Sequence, residues 1–86
     1  MKVYIAYNSE INDICIAESY KAAVNHLFAF HWINPKDEIR IDGQMTTLEE
    51  YFGKDCVDMI TNEWDIEDFN EFWDGDYWIS EREVIK

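Results

Sequence analysis

Residues 62 to 78 read NEWDIEDFNEFWDGDYW; seven of these seventeen side chains are carboxylates and six are aromatic. Carboxylates at this density suit three kinds of chemistry: holding calcium, moving protons, or presenting charge to a basic partner. Spacing decides among them. With Gly75 at the sixth position of a calcium-binding EF-hand loop, Asp74 fills the fifth and Glu81 the twelfth. The first and third then fall on Asn70 and Phe72, and a phenylalanine ring cannot ligate calcium. With Gly43 at the sixth position Glu49 fits the twelfth, but Arg40 takes the third. His26 and His31 stand five apart, on opposite-leaning sides of a helix, and so do not form the i, i+4 pair that holds zinc. No Gly-x-Ser-x-Gly elbow or phosphate-binding glycine loop is present in a chain with three glycines. Paired carboxylates are so abundant that no acid–base couple stands out. We therefore expect no catalytic residue, metal or cofactor, and expect the charge itself to be the working feature.

The elements that must position these acids follow from pattern. VYIAY at 3 to 7 and DICIA at 13 to 17 read as strands joined through the turn-forming NSEIN. Both are apolar on two faces, which points to at least one central strand. Ser19 caps a helix over 20 to 33 with Tyr20, Ala23, Val24, Leu27, Phe30 and His31 on its apolar side, and Asn34-Pro35 stops it. EIRID at 38 to 42 alternates as a short strand with Ile39 and Ile41 inward. Thr46 and Thr47 precede Glu49 and Glu50 by three, the capping-box pattern, for a helix from Leu48 to about Gly53. Asp55 caps another helix carrying Val57, Met59 and Ile60, and YWISEREVI at 77 to 85 is the last strand.

In the opening stretch Asp65 is an N-cap, Asp68 completes its box, and Trp64 and Phe69 occupy staple positions. At 100° per residue, Ile66, Phe69, Phe72 and Trp73 share an arc of about 120°, and Glu67, Asp68, Glu71 and Asp74 fill a similar arc opposite. Gly75 ends the helix. One face packs and the other is a carboxylate stripe. Ordinary surface helices mix signs, but here Lys54 is the only base between Met45 and Tyr77, against eleven acids. Like charges a turn apart destabilise a helix by a few tenths of a kcal/mol, so the stripe costs stability. Steps of about 6 and 4.5 Å along the axis are comparable in scale with successive phosphates of a nucleic-acid strand.

Seven basic against nineteen acidic residues give a formal charge of −12. Such a field repels nucleic acid and anionic membranes and attracts basic protein surfaces. Cys15 and Cys56 match no metal or redox spacing, and Met1 to Tyr7 has no secretory pattern, so reduced thiols in a cytoplasmic protein are expected. The longest mostly apolar run, Ala22 to Ile33, is too short and too polar to span a bilayer.

A strongly acidic domain beginning MKVYIAYN and ending YWISEREVI resembles the small proteins of bacterial phages and mobile elements, of the DNA-mimic type found among anti-CRISPR and antirestriction proteins. MKVYIA is also similar to the first strand of the ArdA antirestriction family, and only the general type is carried over. The resemblance implies a non-enzymatic inhibitor, acting in the cytoplasm of an infected or host bacterium on a CRISPR effector or restriction nuclease. The expected contacts are Glu67, Asp68, Glu71, Asp74 and Asp76, with Glu63, Asp58, Glu49 and Glu50 at the margin and Trp73 and Tyr77 as exposed aromatics. The alternative is a structural or assembly protein that oligomerises, for instance as a homodimer, through an aromatic surface. The expected fold is one α+β domain over 1–86: about four strands in a mixed or antiparallel sheet, one longer helix and two or three short ones, with the last strand beside the first.

Overall fold

Strand β1 (Lys2–Asn8) lies between β2 (Asp13–Ala17) and β5 (Tyr77–Glu83), both antiparallel to it, in a computed structural model that describes residues 1–30, 32–73 and 75–85. The two ends of the chain thus meet on one strand: Lys2 pairs with Glu83 and Asn8 with Tyr77. This central position satisfies both hydrogen-bonding edges of β1, while of its two faces the one carrying Ala6 joins the core. The hairpin turn between β1 and β2 places Asn12 at φ 54°, and Tyr7 Oη donates to Asn12 Oδ1 at 2.6 Å. Asparagine tolerates this left-handed conformation better than most residues.

Between β2 and β5 run α1 (Tyr20–Ala29), β3 (Ile39–Ile41), β4 (Gln44–Thr46), α2 (Leu48–Phe52), α3 (Cys56–Asn62) and α4 (Ile66–Trp73). The fold is α+β, but the main sheet has three strands rather than four, because β3 pairs with β4 in a separate hairpin. Asp42 and Gly43 both hold positive φ, 51° and 81°, the geometry of a two-residue hairpin turn. Two further expectations are corrected. Helix α1 ends at Ala29 instead of Ile33: the Ile33 amide donates to Leu27 O at 3.0 Å, the chain folds back, and Ile33 is buried while Phe30 is left 65% exposed. Asp55 precedes α3 but makes no side-chain capping bond. His31 and Asp74 lie outside the described residues.

Ser19 Oγ accepts from the Ala22 amide at 3.0 Å, starting α1. Its buried face, Ala23, Val24 and Leu27, joins Ala6 and Ile79 of the sheet in one core with Leu48, Cys56, Ile60, Phe69 and Trp73. Tyr20 crosses from α1 to α3, its hydroxyl donating to Ile60 O at 2.8 Å. Helix α4 is locked to β5 by one side chain: Asn70 Oδ1 accepts from the Ile79 amide at 2.7 Å and its Nδ2 donates to Ile79 O at 2.9 Å. The amide thereby occupies the edge of β5 as another strand would.

Replacing Asn70 with alanine removes both bonds and strands a part-buried amide and carbonyl. Asn70→Ala is expected to cost about 2 kcal/mol in urea unfolding, against under about 0.5 kcal/mol for Asn62→Ala at the exposed end of α3. Equal losses would contradict the role given to Asn70. The Tyr20 hydroxyl is held neutral well above its ordinary range, first by burial and then by the carboxylates of Asp65 and Asp68. Its folded pKa exceeds the unfolded value of about 10, so the folded state retains a proton the unfolded state loses. Stability from this group is present below pH 10 and is lost as pH rises beyond it. Tyr20→Phe should cost about 1 kcal/mol at neutral pH and flatten the alkaline loss; circular dichroism against pH, compared with wild type, checks this, and an unchanged slope above pH 10 would refute it.

Candidate functional site

Helix α4 begins with a reciprocal capping box. The Asp68 amide donates to Asp65 Oδ1 at 2.9 Å and the Asp65 amide to Asp68 Oδ2 at 3.2 Å. Both carboxylates also sit at the positive end of the helix dipole, which tolerates negative charge there. With the start fixed, the 3.6-residue period sends Phe69 and Trp73 inward, leaves Ile66 and Phe72 half-buried, and turns Glu67, Asp68 and Glu71 out to solvent. Trp64, expected to staple onto Phe69, instead sets its ring against Phe72 at 5.3 Å and Phe52 at 5.6 Å. Phe52 meets Phe72 at 5.5 Å, so this aromatic triad brings the end of α2 against α4.

The remaining expected acids fall around this helix. Thr47 Oγ1 caps α2 by accepting from the Glu50 amide at 3.1 Å, and the Glu50 carboxylate returns to Thr46 Oγ1 at 3.3 Å. Glu50 is exposed and Glu49 half-buried. Asp58 and Glu63 are exposed on α3 and at its C-cap. Asp76 is exposed past Gly75, and its carbonyl receives the Ser9 amide at 3.0 Å and the Ser9 hydroxyl at 2.9 Å. Asp74 lies outside the described residues.

Helix α4 forms a ridge between two acid-rimmed depressions. On one side a groove of about 610 Å³ is lined by Asp65, Glu67 and Glu81 together with Tyr4, Tyr20 and Trp64. On the other a cleft of about 950 Å³ runs toward the β3–β4 hairpin, and there Glu71 and Asp76 meet Glu10, Asp37, Glu38 and Asp42. Those last four were missed in the sequence. They stand in loops of the N-terminal half beside Lys36 and Arg40, where no local pattern marks them as part of one surface. The signal that could have found them is the pairing of β1 with β5, which carries Glu10 to the level of Asp76.

The electrostatic state of the surface is set by what it lacks. Among the described residues the ion pairs are the Met1 amino group with Glu83 at 3.4 Å and Lys2 with Glu81 at 2.8 Å, both at the far end of β5. Among the described residues no acid from 49 to 76 has a cation within 4.0 Å.

The two expected aromatic contacts are corrected. Trp73 is 7% and Tyr77 9% exposed. The Trp73 ring is enclosed by Phe72 at 4.8 Å, Tyr77 at 5.3 Å and Phe69 at 6.1 Å, while Tyr77 Oη donates to Trp32 O at 2.6 Å. Strand alternation then puts the next residue, Trp78, on the opposite face, 42% exposed against the Tyr7 ring at 4.7 Å.

Both cysteines are free thiols, Cys56 buried and Cys15 half-buried, with ionisation pushed up chiefly by burial. Neither is set up as a nucleophile. Among the described residues no group of three or more His, Cys, Asp or Glu is arranged to hold a metal ion, and no helix is long and apolar enough to cross a membrane. No protein-family model, curated protein or solved structure matches the chain.

Proposed function

We propose that this chain is a non-enzymatic inhibitor whose acidic side, built on α4 and its flanks, occupies a basic surface made to hold nucleic acid. A CRISPR effector or a restriction nuclease is the partner that this chemistry fits. One observation carries the reading: the described carboxylates of residues 49 to 76 are exposed or half-exposed and have no described cation within 4.0 Å. Net charge alone favours solubility wherever on the surface it stands, whereas a surface that must attract arginine and lysine on another molecule loses affinity for each charge already satisfied within the chain.

Dimensions agree with this role. The long axis is 46 Å, with transverse extents of 25 and 21 Å. A net charge of −12 over that length is about one charge per 4 Å, against about one per 3.4 Å along a single DNA strand. Of these acids Glu67, Asp68 and Glu71 stand on a helix that cannot swing freely, because Phe69 and Trp73 anchor it in the core and Asn70 pins it to β5. Rigid placement lowers the entropy lost on binding.

Titrating a panel of CRISPR effectors and restriction endonucleases with the protein tests the reading. A genuine target should bind at least about a hundredfold more weakly at about 0.5 M than at about 0.05 M salt. The triple charge reversal Glu63→Lys, Glu67→Lys and Glu71→Lys, which spares the Asp65–Asp68 box, should weaken binding at low salt by about tenfold or more and should relieve inhibition of DNA cleavage. A target whose affinity is indifferent both to salt and to the triple reversal would contradict the proposal, as would a panel with no inhibited enzyme.

A further inference from the structure

The three-stranded sheet has two faces of different fate. Ala6, Cys15 and Ile79 stand side by side on the face that meets α1 and α4. One residue along, the pleat turns the row Ile14–Tyr7–Trp78 and the row Ile16–Ile5–Ser80 to the opposite side, with Val3 and Arg82 beyond them. An antiparallel sheet with one wet face alternates apolar inward and polar outward. This one is apolar on both sides, and its outer face leaves Ile14 53%, Ile16 65% and Trp78 42% exposed. A chain with nineteen acids places none in these rows, and Arg82 is the one charge among these outward positions.

The edges of the sheet are less available than the face. The Asn70 amide already occupies the backbone of Ile79 on β5, and the Asp13 carboxylate accepts from the Ile14 amide on β2 at 2.9 Å. Such devices block strand-to-strand addition. The outer face has no comparable cover among the described residues.

We propose that a second copy of this chain packs on the outer face, sheet against sheet, with the acidic helices turned away from the contact. Charge selects this occupant. A basic partner is drawn to the carboxylate side, whereas two copies of a −12 chain can approach closely only where neither presents a carboxylate. In that arrangement the two copies of α4 lie beyond both sheets, which stack about 10 Å apart, so the like charges are kept at distance. Area sets the strength. Strands of seven, five and seven residues about 4.8 Å apart give roughly 310 Å² of flat face per copy, and side-chain relief brings the total buried by both copies to about 1,000 Å² at most. That is the lower bound of specific interfaces, so the pair is a weak, reversible dimer whose monomer retains its own core.

Sedimentation equilibrium of the full chain, up to about 500 µM and at about 0.05 and about 0.5 M salt, tests this. Apolar burial is retained while salt screens the mutual repulsion, so the dimer dissociation constant should fall about tenfold at the higher salt. That is the opposite sign to the salt response of the acidic side, which separates this contact from the one proposed above. Ile16→Glu places a carboxylate on the face and should raise the constant by about tenfold or more. Because Ile16 is already exposed, circular dichroism and the thermal midpoint should be unchanged, and binding to a basic target should survive. Ile16→Thr, which keeps strand propensity, should weaken the dimer less. A wild-type chain that stays monomeric at both salts overturns the proposal and leaves the face to a different polypeptide. So does a dimer that Ile16→Glu leaves intact, or one that loosens as salt rises.

Discussion

The clasp between the Asn70 side chain and the Ile79 backbone fixes the rotation of α4, and most of the molecule follows from that rotation. With both hydrogen-bonding groups of the amide committed to β5, Phe69 and Trp73 have one direction available, into the core, and Glu67, Asp68 and Glu71 have the other. The same clasp holds β5 at its outer edge while β1 holds it at the inner one. The acidic surface is therefore a consequence of packing rather than an addition to it: the aromatic residues that looked out of place among carboxylates are what hold the carboxylates still.

Much of this was legible in the sequence where a local rule sufficed. The Asp65–Asp68 box, the Thr47–Glu50 cap and the glycines that end α2 and α4 each depend on a few neighbouring residues, and each is present. The pairing of the last strand with the first was expected from the β-rich runs at the two ends of the chain, and it gives β1 a partner on each hydrogen-bonding edge. What failed depended on distant contacts. Whether Tyr77 or Trp78 faces inward is set by register against Asn8 and Tyr7 across the sheet, which no local pattern contains. Helix α1 stops early because Ile33 reaches the core only if the chain folds back, and periodicity alone does not reveal that competition. Strand β4 was missed although Asp42-Gly43 is a hairpin signal; Gln44, Met45 and Thr46 are too few and too polar to read as a strand without the partner that defines them.

The candidate site divides in the same way. The stripe on α4 was visible as a helical pattern, but the second wall of the larger cleft was not, because Glu10, Asp37, Glu38 and Asp42 belong to three separate segments. Their arrival opposite Glu71 and Asp76 makes the negative surface wider than one helix. A wide patch mainly of one sign, with Arg40 the basic residue in the lining of its larger cleft, is suited to a broad basic surface more than to a single cationic ligand. The outer face of the sheet is its complement: its rows are largely apolar and free of acids.

The carboxylates around α4 have no described cation within 4.0 Å, so the folded state bears their mutual repulsion, which under the proposed function a basic partner would relieve. Urea unfolding of the wild-type protein, at a concentration low enough to remain monomeric, measures this directly when run at about 0.02 and about 0.5 M sodium chloride. The account predicts that the higher salt raises the unfolding free energy by about 1 kcal/mol, as screening relieves like-charge pairs. A free energy that falls with salt would mean that the acids are held in stabilising pairs, and would contradict it.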